Sequence, residues 1–148
     1  MPIANRFLPL VGRILLSLIF VVSGPFKIPG WEMTKAYMAA EGMPMVSVLL
    51  VAAIVVETLG GLSVLLGFKA RIGAIALFLF LIPTTLIFHD FWTLEGMEQQ
   101  LQLTMFLKNL AIMGALLLVA YWGPGPMSLQ RGHAAPIDTA TLSQQNAE

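Results

Sequence analysis

Apolar residues gather in four long runs, Leu8–Gly24, Met45–Leu66, Ile72–Phe88 and Leu101–Trp122. About 20 apolar residues at ~1.5 Å each cross the ~30 Å hydrocarbon core of a bilayer. The pattern therefore predicts four spanning helices. Breakers separate them: Pro25, Pro29 and Gly30 after the first, Gly42 and Pro44 before the second, Gly67 after it, and the GPGP run Gly123–Pro126 after the fourth. Pro83 falls inside the third run, where it removes a backbone bond and predicts a kink. Between the first two runs, Trp31–Ala40 mixes Trp31, Tyr37 and two Met with Glu32 and Lys35. That mixture predicts a short amphipathic helix at the interface, with its aromatic rings at headgroup level. Thr93–Gln100 reads as a polar loop.

Short connections between sequential runs imply an all-α, up-down-up-down transmembrane bundle. It occupies residues 1–127 as one domain, followed by a polar tail, 128–148, expected to be disordered. Four spans put both termini on one side. Arg6, Arg13, Lys69, Arg71 and Arg131 fall on that side, against Lys27 and Lys35 on the other. The positive-inside rule then makes both termini cytoplasmic.

Composition supports lipid as the main partner. Hydrophobic residues make up 57% of the 148 and charged residues only 11%, where a soluble domain carries about 25%. Net charge is zero, so there is no basic footprint for nucleic acid. With no cysteine, the chain forms no disulfide, thiolate metal site or dithiol redox centre. No metal site is expected either, since one His beside carboxylates falls short of a ligand set and His133 lies in the tail. The first apolar stretch, Phe7–Phe26, is longer than a typical signal-peptide core and ends in Gly24-Pro25-Phe26-Lys27 rather than a small-residue cleavage site.

The candidate chemistry lies in the few polar residues inside the runs. Glu57 sits near the middle of the second. A carboxylate at that depth needs a partner or a task. Lys108 from the fourth run is the simplest counter-ion, with Arg13 as the competitor. Gly60 and Gly61, one turn on, allow another helix to approach closely. Arg13, Ser17, Phe20, Gly24 and Lys27 fall on one face of the first helix. Glu57, Lys108 and Asn109 would build a polar pocket, with Lys27, His89 and Asp90 near its mouth. Two roles stay open for the Glu57 pair: a clamp that fixes helix register, or a working site. His89 and Asp90 equally read as headgroup-solvated interface residues, and the three Trp as belt anchors.

The chain resembles the DoxX family of small four-helix membrane proteins. The similarity is carried by RILLSLIFVVSGPFKIPG (Arg13–Gly30), YMAAEGMP (Tyr37–Pro44), VVETLGGLSVLLGFKAR (Val55–Arg71), FHDFW (Phe88–Trp92), FLKNLAIMGALLL (Phe106–Leu118) and GPGPMSLQ (Gly123–Gln130). The resemblance implies an inner-membrane protein. It also implies association with oxidoreductase systems, the family being named after a subunit linked to thiosulfate:quinone oxidoreduction. A quinone is the cofactor so implied, bound without covalent linkage, and an oxidoreductase subunit the partner so implied. Two rival roles are a small-solute permease or lipid-binding protein, which would need a homodimer, and a membrane anchor for a soluble enzyme.

Overall fold

The computed structural model describes residues 3–130. It contains helices α1 (Ile3–Phe26), α2 (Trp31–Ala40), α3 (Val46–Leu66), α4 (Ala70–Phe88) and α5 (Gly96–Trp122). A single 3₁₀ turn, Phe91–Thr93, joins the last two. Helices α1, α3, α4 and α5 are long and apolar enough to cross a membrane. The expected all-helical bundle with a short helix after its first span is therefore present. Two ends differ from the sequence pattern. Helix α1 starts before Leu8, and α5 starts at Gly96 rather than Leu101. The polar stretch expected as a loop is largely helix because Glu98 falls in the first turn, where the helix dipole favours a carboxylate. Helix α4 runs unbroken past Pro83.

Neighbouring spans run antiparallel. Gly61 of α3 faces Phe20 and Val21 of α1, and Gly24 of α1 faces Thr58, so position rises along one helix as it falls along the other. Gly73 of α4 meets Ser63 of α3, and Gly60 meets Leu77. Asn109 of α5 bonds Thr85 of α4, while Gly123 lies beside Arg71. Helices α1 and α5 meet only marginally.

The buried faces follow helical spacing. In α3 they are Leu50, Glu57, Gly60, Gly61 and Val64; in α4, Ala70, Gly73, Ala74, Leu77, Leu81 and Thr85. The α1 face picked out from the sequence is also the inward one, with Arg13, Ser17 and Phe20 each under 5% exposed. Phe20, Val64, Ala74, Leu77, Leu81 and Leu116 form the core. Large apolar residues elsewhere, such as Leu15, Leu59, Ile72 and Leu118, are more than half exposed. That outward greasy surface is what a bilayer solvates.

The end of the bundle near Gly67 is tied by backbone. Gly67 has φ of +67°, the left-handed conformation glycine adopts without a Cβ clash. Phe68 N–H bonds Ser63 O and Gly67 N–H bonds Val64 O, which caps α3. The chain then returns after α5. Leu129 and Gln130 donate their N–H groups to Leu66 O and Gly67 O, and the Gln130 side chain accepts from Lys69 N–H at 2.8 Å. Ser128–Gln130 were expected in the disordered tail but are docked here, because the α3–α4 turn leaves backbone groups for them to pair. Residues 131–148 of that tail, with Arg131 and His133, lie outside the described residues.

Helix α1 is set low against α3. Gly24 packs on Thr58, so α1 ends about halfway along α3. Helix α2 and its flanking turns cover the remaining distance up to Val46. The expected interfacial helix is thus also a packed wall: Met38 is buried, and the Tyr37 ring lies 5.1 Å from that of Phe88.

The glycine seam makes a paired test. A Cβ on Gly61 would lie 2.9 Å from Phe20 Cβ and 3.1 Å from Val21 N, which only a helix shift relieves. A Cβ on Gly114 would meet nothing within 4 Å. Gly61→Ala is expected to lose about 1–3 kcal/mol by overpacking. Gly114→Ala is expected to hold stability or gain up to ~1 kcal/mol from helix propensity. Thermal unfolding in detergent distinguishes them, and equal melting temperatures would contradict the close α1–α3 contact.

Candidate functional site

The site begins with the carboxylate of Glu57. It lies eleven residues from the Val46 end of α3, about 16 Å at ~1.5 Å per residue, near mid-span. Only 6% of the residue is exposed. Its partner is Lys27, whose Nζ donates to Glu57 Oε2 at 2.6 Å. The same ammonium donates to Ser23 Oγ at 2.7 Å and approaches Ser23 O at 3.3 Å. An ammonium has three N–H bonds, and three acceptors surround this one. The pair is held by helix register. Gly24 sits so close to α3 that a Cβ there would lie 2.5 Å from Thr58 Oγ1 and 3.2 Å from Glu57 Cβ. Lys27, just past the end of α1, folds back down the helix to reach the acid.

This corrects the pairing expected from the sequence. Lys108 does not meet Glu57; its Nζ turns back one turn along α5 to Met105 Sδ, 3.2 Å away. Arg13 does not meet it either. Its guanidinium lies at the opposite end of the bundle and donates to the carbonyls of Pro124 and Met127. Lys27 was placed at the mouth because it follows the helix-breaking Gly24-Pro25. The low setting of α1 instead puts it at the level of Glu57.

Above the pair is a cavity of about 480 Å³. Its walls come from the end of α1, from α2, from the Val46 half of α3, and from the Phe88 half of α4, with α5 adding Lys108 and Asn109. Most of the surface is apolar, as in Ile19, Leu49, Ala53, Val56, Phe80 and Pro83. A few polar groups converge on it, the usual make-up of a small-molecule site. Of the six residues proposed from the sequence, Glu57, Lys27, His89, Lys108 and Asn109 all line this cavity. Asp90 does not. Its carboxylate and carbonyl both accept from Thr93 Oγ1 at 2.9 Å, which makes it a turn residue.

The other lining groups have defined partners. Asn109, 6% exposed, donates through Nδ2 to Thr85 Oγ1 at 3.1 Å. His89 Nδ1 lies 2.8 Å from Gln102 Oε1. Tyr37 comes within 3.5 Å of Phe88 O. Burial raises its phenol above the ordinary value, with Glu41 and Asp90 adding to the effect, so the hydroxyl stays a donor. Sequence reasoning passed over Ser23, Thr34, Tyr37 and Thr84, which also line the cavity. Ser23 could have been found, since it stands one helical turn before Lys27.

The pairing has a direct test. Lys27→Met leaves a buried carboxylate without its cation and should cost about 3 kcal/mol, somewhat less if water reaches the cavity. Adding Glu57→Gln should restore most of the loss. Lys108→Met alone should leave stability nearly unchanged. Unfolding of the three variants in the same detergent checks this, and a large loss for Lys108→Met with none for Lys27→Met would refute the pairing.

The DoxX family model matches residues 8–90, which run from within α1 past the end of α4 and stop short of Lys108 and Asn109. Inner membrane protein YphA of Escherichia coli (strain K12) is 36% identical over 128 residues, covering 86% of this chain and 91% of its own length. Inner membrane protein YqjF of the same strain is 39% identical over 122 residues, covering 82% of this chain and 88% of its own. No solved structure matches. With four membrane-length helices and this match across more than half its length, the chain belongs to the DoxX family of integral inner-membrane proteins.

Proposed function

We propose that the cavity receives the head group of a lipid-soluble quinone and that the protein serves as a membrane subunit of an oxidoreductase system. The observation that supports this most is the cavity itself, an apolar chamber at bilayer depth with a charged pair at its base. Its volume lies within the ordinary range for small-molecule sites, about 300–1,000 Å³. A bound quinone would supply a two-electron, two-proton couple. Glu57 would exchange a proton with the head group, and Lys27 would hold that carboxylate in place. Lys108, His89 and Asn109 would fix the outer part of the ligand by hydrogen bonds. Electrons would come from a partner subunit, since the chain has no cysteine to act as a dithiol centre.

In this reading both termini face the cytoplasm, by the positive-inside count, and the cavity lies in the outer half of the membrane. The permease alternative is less well supported. Phe20, in the cavity wall, packs with Val64, Leu77 and Leu116 into a core with exposures of 4% or less. A solute crossing the membrane would have to part that core. A membrane anchor would need the bundle but not the cavity.

Titration of the purified protein with a decyl-substituted benzoquinone tests the proposal. Saturable binding is expected. Ala53→Phe, which places a ring into the cavity from α3, should weaken binding about tenfold or more while the protein still folds. Absence of saturable binding by the unaltered protein would overturn it.

A further inference from the structure

The hydrogen-bonding capacity left open at the base of the cavity selects one redox state of its occupant. Glu57 uses Oε2 on Lys27. Its Oε1 has no hydrogen-bond partner among the described residues, although Glu57 is 94% buried and lines the cavity. In the ion pair the carboxylate can only accept. Lys27 directs its ammonium to Ser23 Oγ, Ser23 O and Glu57 Oε2, as many acceptors as it has N–H bonds. Ser23 Oγ accepts from Lys27 and keeps its own hydrogen. The base therefore presents one strong acceptor, a charged oxygen, and one weak donor, a serine hydroxyl.

A hydroxyl group satisfies both, donating to Glu57 Oε1 and accepting from Ser23. A carbonyl satisfies only Ser23 and turns its lone pairs toward the carboxylate. Higher in the cavity, Tyr37, His89, Lys108 and Asn109 stand toward the outer part of the ligand, so the oxygen at the base meets Glu57 and Ser23. Thr84 Oγ1 donates to its own helix at Phe80 O, and Thr34 Oγ1 does the same at Gly30 O. Lys108 and Asn109 project from α5, whereas Glu57 and Ser23 stand on the facing α3 and α1.

From these groups we infer that the site binds the reduced, hydroxyl-bearing form of its ligand, a hydroquinone, more tightly than the oxidised quinone. This rests on the cavity being a quinone site. It adds the direction of use: the protein presents a hydroquinone to whichever partner removes its electrons, or retains one after reduction elsewhere. A desolvated carboxylate oxygen facing a carbonyl rather than an O–H disfavours the oxidised form on the order of tenfold or more.

The test compares decyl-benzoquinone with the same molecule reduced to its hydroquinone, under anaerobic conditions, on the full chain in detergent. The hydroquinone is expected to bind at least about tenfold more tightly. Glu57→Gln, which replaces the acceptor-only oxygen by an amide that both donates and accepts, should bring the two affinities within about threefold of each other. Should that variant not fold because Lys27 is stranded, the combined Lys27→Met and Glu57→Gln chain carries no unpaired charge and serves in its place. Equal affinities for the two forms in the unaltered protein, or tighter quinone binding, overturn this inference and leave the quinone site standing. Failure of both forms to bind overturns the site itself. A preference for hydroquinone that persists in both variants assigns it to another group and overturns the role given to Glu57.

Discussion

The contact between Lys27 and Glu57 is the constraint on which the architecture turns. A carboxylate near the middle of a bilayer-length helix loses most of its hydration, and the loss is tolerable only where a cation meets it. Such a pair roughly offsets its own desolvation and adds little net stability. What it does fix is register. Lys27 reaches Glu57 only if α1 lies with Gly24 against Thr58, and Gly61 lets the same helix close in against Phe20 and Val21. Ion pair and glycine contacts therefore specify one relative height of α1 and α3.

That height divides the bundle into two unlike halves. In the half toward Gly67 all four long helices contribute to a core of Phe20, Val64, Ala74, Leu77 and Leu116. In the other half α1 has ended, and its place is taken by α2, a shorter element whose Met38 and Tyr37 only partly fill the gap. The cavity lies beside and beyond the last turns of α1, where α2 stands in place of a full-length span. The charged pair stands at the boundary between the halves, so the same contact that sets the register also furnishes the floor of the cavity.

Much of this was legible in the sequence, and each miss has its own physical cause. Four spans follow from apolar runs, and the inward face of α1 follows from the spacing of Arg13, Ser17, Phe20, Gly24 and Lys27. Glu57 announces itself because a lone acid in an apolar run has few uses. Its partner could not be read the same way. Assigning Lys108 to it assumed spans in register across the membrane, and that assumption places Lys27 at the surface. Relative helix height is a tertiary property set by glycine contacts, and nothing in the periodicity of one helix reports its offset from another. Asp90 stands outside the cavity lining for a local reason: Thr93, three residues on, holds it in a turn. The docking of Ser128–Gln130 was hidden because polar composition marks a segment as solvated, whereas these residues pair with backbone groups of the α3–α4 turn.

Arg13 supplies the counterpart at the sealed end. Helices α1 and α5 scarcely touch along their lengths, so packing alone leaves the row of four helices open between its first and last members. The Arg13 guanidinium, 3% exposed, spans that gap by donating to the Pro124 and Met127 carbonyls that follow α5. A cation that meets backbone carbonyls rather than a carboxylate needs no second buried charge, and the GPGP run with the residue after it presents carbonyls beyond the end of the helix. Lys27, just past α1, and Arg13 within it thus act as ties, one to α3 at the floor of the cavity and one to the chain beyond α5. With α1 fastened at two heights, a slide along α3 would break the tie to Glu57 and pull on the one beyond α5, so the chain's own polar contacts help set the depth of the cavity.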